Sequence, residues 1–166
     1  MVIKEVKEKN SFNINKNNVS EKEQVLEIAK KDIIAFGQLF MPEDFMKSTP
    51  APYHYELSDL LLDDTKKRNC IILPRGHSKS TLAKAALMYH LYFNPEGKKE
   101  FIAWVAEEQS QAIDHIKYIQ NHIEMNPALN YYFGDLQGSK WTEKEFTTSK
   151  GCLLYTSDAA DEEDSV

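Results

Sequence analysis

With 166 residues, a 42% hydrophobic share and 18 aromatics (8 Phe, 8 Tyr, 2 Trp), the chain can bury the core of one domain, which excludes a disordered chain and leaves little room for two full domains. No apolar run approaches the roughly 18 residues of a membrane helix, the N-terminal MVIKEVKEKNSFNINKNN lacks the apolar stretch of an export signal, and two cysteines, Cys70 and Cys152, indicate neither a disulfide framework nor a metal cluster. The formal net charge of −6 is uneven: five of the 26 acids (Asp158, Asp161, Glu162, Glu163, Asp164) follow Gly151 with no base among them, leaving 21 acids against 20 bases, or −1, for residues 1–151.

Residues 1–19, rich in Lys, Asn and Glu without periodicity, read as a flexible N-terminal arm. Ser20 with Glu23 forms a capping-box pattern, and Leu26, Ala29, Ile33, Phe36 and Phe40 follow at helical spacing, which predicts one helix over about 21–38. Met41 to Pro52 holds three prolines and reads as a connector. Tyr53, Leu57, Leu60 and Leu61 then mark a short amphipathic helix ending near Asp63. The run Cys70-Ile71-Ile72-Leu73 has the continuous apolar character of a strand buried on both faces. Leu82, Ala85, Ala86, Tyr89 and Phe93 repeat helically over 80–93, and Asn94-Pro95-Glu96-Gly97 closes that helix. FIAWVA, Phe101 to Ala106, is a second buried-type strand; Ala112, Ile116, Ile119 and Ile123 stripe a further helix that Asn126-Pro127 ends. This order argues an α/β fold built on a βαβ unit, with a parallel sheet and a right-handed crossover.

Between the first expected strand and its helix lies ILPRGHSKST, Ile72 to Thr81. The phosphate-binding pattern GxxxxGK[ST], aligned on Lys79, covers Leu73 to Ser80: Lys79 and Ser80 match, whereas Leu73 and Ser78 stand where the pattern has glycine. Such a loop works by aiming successive backbone N–H groups, and the positive end of the next helix, at a polyphosphate. Lysine adds a point charge, and the hydroxyl after it a Mg²⁺ ligand. Gly76 and Ser78 are small enough for close approach, and the fork of Arg75 suits a phosphate. The plainer reading is a basic turn, with Lys79 solvated, Ser78 or Ser80 capping the helix and His77 an exposed loop residue.

Two resemblances extend this reading. CLLYTSDAADE, Cys152 to Glu162, resembles the in-frame translation of a sequencing-library adapter, so 152–166 is expected to be a non-native tail and the native sequence to be cut off near Gly151. LPRGHSKST, with PAPYHYELSDLLLD upstream and FIAWVAEEQSQAIDHIKYIQNHIEMNPAL and WTEKEFTTSKG downstream, resembles the N-terminal ATPase domain of the large terminase subunit, the DNA-packaging motor of tailed bacteriophages, over about residues 30–151.

That resemblance implies a truncated P-loop NTPase domain (RecA-like, ASCE) with a parallel sheet and flanking helices over 20–151, using ATP and Mg²⁺. Lys79 would hold the β and γ phosphates, Ser80 would ligate Mg²⁺, and Arg75 would contact the γ-phosphate and couple its loss to movement. Gly76, His77, Ser78 and Thr81 would complete the phosphate loop. Tyr53 and His54 are candidates for the adenine side, against a staple at the helix start for Tyr53 and a capping contact for His54. Implied partners are double-stranded DNA, a portal protein and a small terminase subunit, in an oligomeric ring without a membrane, in the cytoplasm of an infected bacterium. Lys66, Lys67 and Arg68, or Lys98 and Lys99, are either basic surface for DNA phosphates or solvated loop charges. Hydrolysis needs an acidic pair after a later strand. Glu107 and Glu108 come too early for it and read as helix-start residues, so this chain is expected to be inactive alone. A helicase-like translocase and a non-catalytic α/β binding module are the alternatives.

Overall fold

The structure, a computed structural model, describes residues 20–63, 65, 68–93 and 101–158, with 155–158 as backbone alone. The expected arm 1–19, the turn 94–97, Lys66, Lys67, Lys98, Lys99 and residues 159–166 lie outside the described residues. Eleven elements follow in order: α1 (Glu21–Ala29), α2 (Ile33–Phe40), α3 (Pro42–Phe45), α4 (Pro52–Leu62), α5 (Lys79–Phe93), β1 (Phe101–Ala106), α6 (Gln109–Met125), α7 (Pro127–Phe133), β2 (Gln137–Trp141), β3 (Glu145–Thr148) and β4 (Leu153–Asp158). The fold is mixed α/β and mostly helical.

The helix expected over 21–38 is two helices. The first opens on the anticipated capping box, Ser20 Oγ accepting from Glu23 N–H (3.3 Å) while Ser20 N–H donates to Glu23 Oε2 (2.7 Å). It stops because Asp32 turns extended (φ −162°) and its Oδ1 takes the Ala35 N–H (2.7 Å), starting α2 anew. The second helix, IIAFGQLF, is apolar almost all round and is correspondingly central: Ile33, Ile34, Phe36 and Phe40 are buried. Phe36 packs on Tyr89 and Phe93 of α5 (ring centroids 5.7 and 6.0 Å), and Phe40 on Phe133 of α7 (5.3 Å). Gly37 lets the Phe45 ring of α3 close over the helix, since a Cβ there would meet that ring at 2.5 Å. The helix expected from Tyr53 to Asp63 is α4, and Ser58 on it fixes α2 by accepting the Ile33 N–H in the core (2.9 Å).

The sheet has the order β1-β4-β3-β2; β1 and β4 are parallel, from Phe101↔Leu153 to Ala106↔Asp158, and the other pairs antiparallel. The sheet is therefore mixed, and WTEKEFTTSKG supplies the last residue of β2 and all of β3. Helix α6 covers β1 and β4 with the expected stripe Ala112, Ile116, Ile119 and Ile123, all buried.

One strand expectation fails and another holds only in part. Residues 70–73 are not a strand: Cys70 is exposed and Ile72 is 87% exposed, so the βαβ unit across α5 does not form. A buried strand needs a neighbour to take its N–H and C=O groups, and among the described residues none lies alongside this run. FIAWVA is a strand, but its burial alternates: Phe101 (66%), Ala103 and Val105 (59%) face out, because α6 covers one face only. Residues 153–158, set aside on sequence as a tail, form β4 between β1 and β3, with Cys152 and Leu154 buried.

Candidate functional site

The Leu73–Ser80 loop reaches α5 through two left-handed residues, Gly76 (φ +81°) and Ser78 (φ +56°). Ser78 thus holds the backbone conformation that glycine adopts readily, at the position where the phosphate-binding pattern has glycine. Its carbonyl receives the Leu82 N–H (2.9 Å), the first amide of α5 to find a backbone acceptor among the described residues. The amides ahead of it lie at the positive end of a 15-residue helix.

Lys79, the first residue of α5, folds back over the loop, its Nζ donating to Leu73 O (2.5 Å) and Pro74 O (2.8 Å). The ammonium therefore sits over the loop rather than in open solvent, held by acceptors that an anion can displace. Arg75 and Ser80 are exposed, and Thr81 is half-buried. A Cβ built on Gly76 meets nothing within 4 Å, so the space over the turn is open. His77 Nδ1–H donates to Arg75 O (3.1 Å), bracing the turn and leaving Nε2 as its acceptor face.

The structure brings the upstream candidates to this loop. The Tyr53 ring lies 4.1 Å from that of His54 and 5.8 Å from that of His77. Tyr53, Leu57, Leu60 and Leu73, with Glu56, Asp59 and Asp63, line an open groove of about 530 Å³ on one side of the loop. Leu57, Leu61, Ile71, Lys79, Ser80, Leu82, Ala83 and Trp104 line a second cavity of about 210 Å³. Charge divides accordingly: Arg75, Lys79 and the α5 terminus are positive, and the groove rim is acidic. His54 belongs to neither space. Its Nδ1 accepts the Ala51 N–H (2.9 Å), the capping contact named as its plainer reading, and its Nε2 is buried without a partner among the described residues.

Sequence reasoning missed a polar cluster beneath the loop. The Tyr118 hydroxyl donates to Asp44 Oδ2, and Lys84 Nζ lies 3.7 Å over the Tyr118 ring. His122 stacks at 4.6 Å from that ring and takes an Asn126 Nδ2–H on Nδ1 (3.3 Å). Burial depresses the Lys84 pKa against the opposing charge of Asp44, and burial raises that of Tyr118, aided by its bond to Asp44. Burial also lowers both His115 and His122, with Lys84 adding to it in each case. The signals available were Asp44 two residues after a proline in the connector and Lys84 one turn after Ser80, neither of which has a recognisable spacing.

Among the described residues no group of three or more His, Cys, Asp or Glu side chains is placed to hold a metal ion. Glu107 and Glu108 are exposed where β1 turns into α6, Glu108 as its N-cap. No described helix is long and apolar enough to cross a membrane. No protein-family model matches the chain, and no curated protein matches it.

Proposed function

We propose that the chain binds ATP with Mg²⁺ at the Leu73–Thr81 loop, as the nucleotide-binding part of a P-loop NTPase domain of the terminase large-subunit type, which in its whole form drives double-stranded DNA into a viral procapsid. The observation that carries this reading is the left-handed Gly76–Ser78 turn that delivers Lys79 and Ser80 to the start of α5 beside open space. Lys79 would exchange its two carbonyl partners for phosphate oxygens, a trade of neutral acceptors for charged ones and hence for stronger hydrogen bonds. Arg75 adds a bidentate fork from the exposed side of the turn. Mg²⁺, which takes oxygen ligands and neutralises phosphate charge, would take the exposed Ser80 hydroxyl as its protein ligand and complete its shell with phosphate and water. The groove beside Tyr53, about 530 Å³, falls in the range of ligand pockets and offers an aromatic face to a base, with acids that accept from an exocyclic amine.

In this reading hydrolysis needs an acidic pair beyond the loop itself, since no acid lines the cavity formed by Lys79 and Ser80. DNA, portal protein, small terminase subunit and ring assembly belong to the whole motor in the host cytoplasm. Of the basic residues considered for DNA, Arg68 is exposed.

Two observations favour a plainer function, an α/β binding module with no nucleotide: the segment before the loop is not a strand, and Lys79 already has two acceptors. Titration of the 166-residue chain with a fluorescent ATP analogue and Mg²⁺ separates the two. We expect Lys79→Ala to weaken binding about tenfold or more, the loss of roughly 1.4 kcal/mol or more, and Ser80→Ala to remove the Mg²⁺ dependence. Equal affinities for the wild type and Lys79→Ala would sink the proposal.

A further inference from the structure

His54 Nδ1 accepts the Ala51 N–H, so in the neutral ring the hydrogen is on Nε2. That Nε2–H is buried and meets no acceptor among the described residues. A buried donor without a partner is rare, and the usual resolution is an ordered water. His54 shares a cavity of about 30 Å³ with Asp44, Ser48, Ser78, Thr81, Ile34, Pro50 and other neighbours, enough for one or two waters at about 10–15 Å³ each. A water that accepts from Nε2–H keeps two hydrogens and a lone pair, and the same cavity supplies the Asp44 carboxylate and the residues Ser48, Ser78 and Thr81 as partners.

We propose that His54 is a positioning residue for the nucleotide loop, acting through one buried water that fixes Ser78 in its left-handed conformation and Thr81 at the start of α5. The inference rests on the nucleotide reading of that loop and gives His54 a role other than adenine contact. Ser78 is where such help is most needed: a side-chain-bearing residue at φ +56° has local strain to hold, and the amides on either side are those that would face phosphate. The cavity also joins the loop to the cluster of Asp44, Tyr118 and Lys84, so the water ties the α5 start to the α3 connector as well as to α4.

The two functions of the imidazole can be separated by amides of different reach. Asn places an acceptor near the Nδ1 position and keeps the Ala51 cap while losing the arm into the cavity; Gln reaches the Nε2 position with an N–H and loses the cap. On the 166-residue chain with a fluorescent ATP analogue and Mg²⁺, we expect H54N to weaken binding about tenfold, as for a buried loop group left without its partner, and H54Q to stay within about twofold of the wild type. A purely structural cap predicts the reverse order. H54N binding as the wild type does, or both variants losing affinity equally, overturns the proposal. If Lys79→Ala and the wild type bind equally poorly, the nucleotide reading fails and takes this inference with it; loss in Lys79→Ala with full affinity in H54N sinks this inference alone. A measurement on the unmodified protein covers a variant that does not fold: the His54 Nε2–H should exchange slowly and show a cross-relaxation peak to a long-lived water, and its absence is equally decisive against the water.

Discussion

Gly76 and Ser78 make opposite demands on the same turn, and exchanging their chemistry tests whether the loop has the described shape. In Gly76→Ala the new methyl meets nothing within 4 Å, so the cost is conformational alone. A side chain at φ +81° costs about 1–2 kcal/mol, and the stiffer unfolded chain returns about 0.4–1 kcal/mol, which leaves a net loss of about 1 kcal/mol. Ser78→Gly relieves the same kind of strain at φ +56°, forfeits about 0.5–1 kcal/mol to unfolded-state entropy and a few tenths from the cap, and should come out between neutral and about 1 kcal/mol stabilised. Urea unfolding followed by tryptophan fluorescence resolves this, since about 1 kcal/mol moves the midpoint by about 0.5 M at a slope of about 2 kcal/mol/M. The midpoint should be lowest for Gly76→Ala, higher for the wild type, and equal to or above the wild type for Ser78→Gly. An unchanged midpoint for Gly76→Ala together with a clear loss for Ser78→Gly would refute the left-handed geometry, and with it the structural basis of the proposed phosphate site.

Other outcomes follow from named contacts. Ser58→Ala strands the Ile33 N–H in the core and should cost about 1–3 kcal/mol in the same assay, while binding by the loop is retained if α4 keeps its place. Gly37→Ala should destabilise in spite of alanine's better helix propensity of about 1 kcal/mol, because the Cβ would meet the Phe45 ring at 2.5 Å; a gain in midpoint would show that α3 yields freely. The pH response follows from His115 and His122, both depressed by burial. Below the ordinary histidine value the unfolded chain binds more protons than the folded one, so stability is full above about pH 6.5 and falls as pH drops, by at most about 1.4 kcal/mol per pH unit for each ring. Thermal midpoints from about pH 8 to about pH 5.5 should show this fall, reduced in His122→Gln, and a midpoint that rises on acidification would contradict the assigned burial.

Where a segment's partner lies on its own element or the next one, the sequence was readable. The stripe on α6 and the Ser20–Glu23 box are of this kind, and each has the expected place. Asp32 was readable in principle, as a capping residue before Ile-Ile-Ala-Phe, but the apolar period runs on across it and suggested one helix instead of two. What escaped depends on distant neighbours. Nothing in Cys70-Ile71-Ile72-Leu73 says whether a strand lies beside it, and nothing in FIAWVA says that only one face is covered. The buried hydroxyl of Ser58 and the Asp44–Tyr118 bond join residues 25 and 74 positions apart, and a polar residue awaiting such a partner looks like any surface one. His54 was legible as two alternatives, and the structure gives its Nδ1 to the cap, with Nε2 buried and His54 outside the lining of the groove beside Tyr53.

The strand β4 puts the sharpest demand on the reading of the C-terminal segment. On sequence it resembles translated adapter, and in the fold it lies between β1 and β3; the two statements are compatible, because a strand needs apolar residues in register rather than any particular ancestry. Leu154 opposite Phe146 and Cys152 at the preceding turn meet that need, all three being buried. Removing residues 152–166 would therefore separate β1 from the β2–β3 hairpin and leave two ladders of backbone groups unpaired. Leucine burial alone is worth about 1.5–3 kcal/mol, and the lost pairing and the uncovered Ile116 and Phe146 add to it, against a total domain stability of only about 5–15 kcal/mol. A chain ending at Asp158 should unfold as the 166-residue chain does, with one sharp transition, while a chain ending at Gly151 should lose cooperativity and self-associate through the opened edges. Size-exclusion chromatography with urea unfolding of the two chains decides it. If the shorter one is monomeric with an unchanged midpoint, β4 contributes nothing to the sheet, and the packing of α6 against β1 must be sufficient by itself.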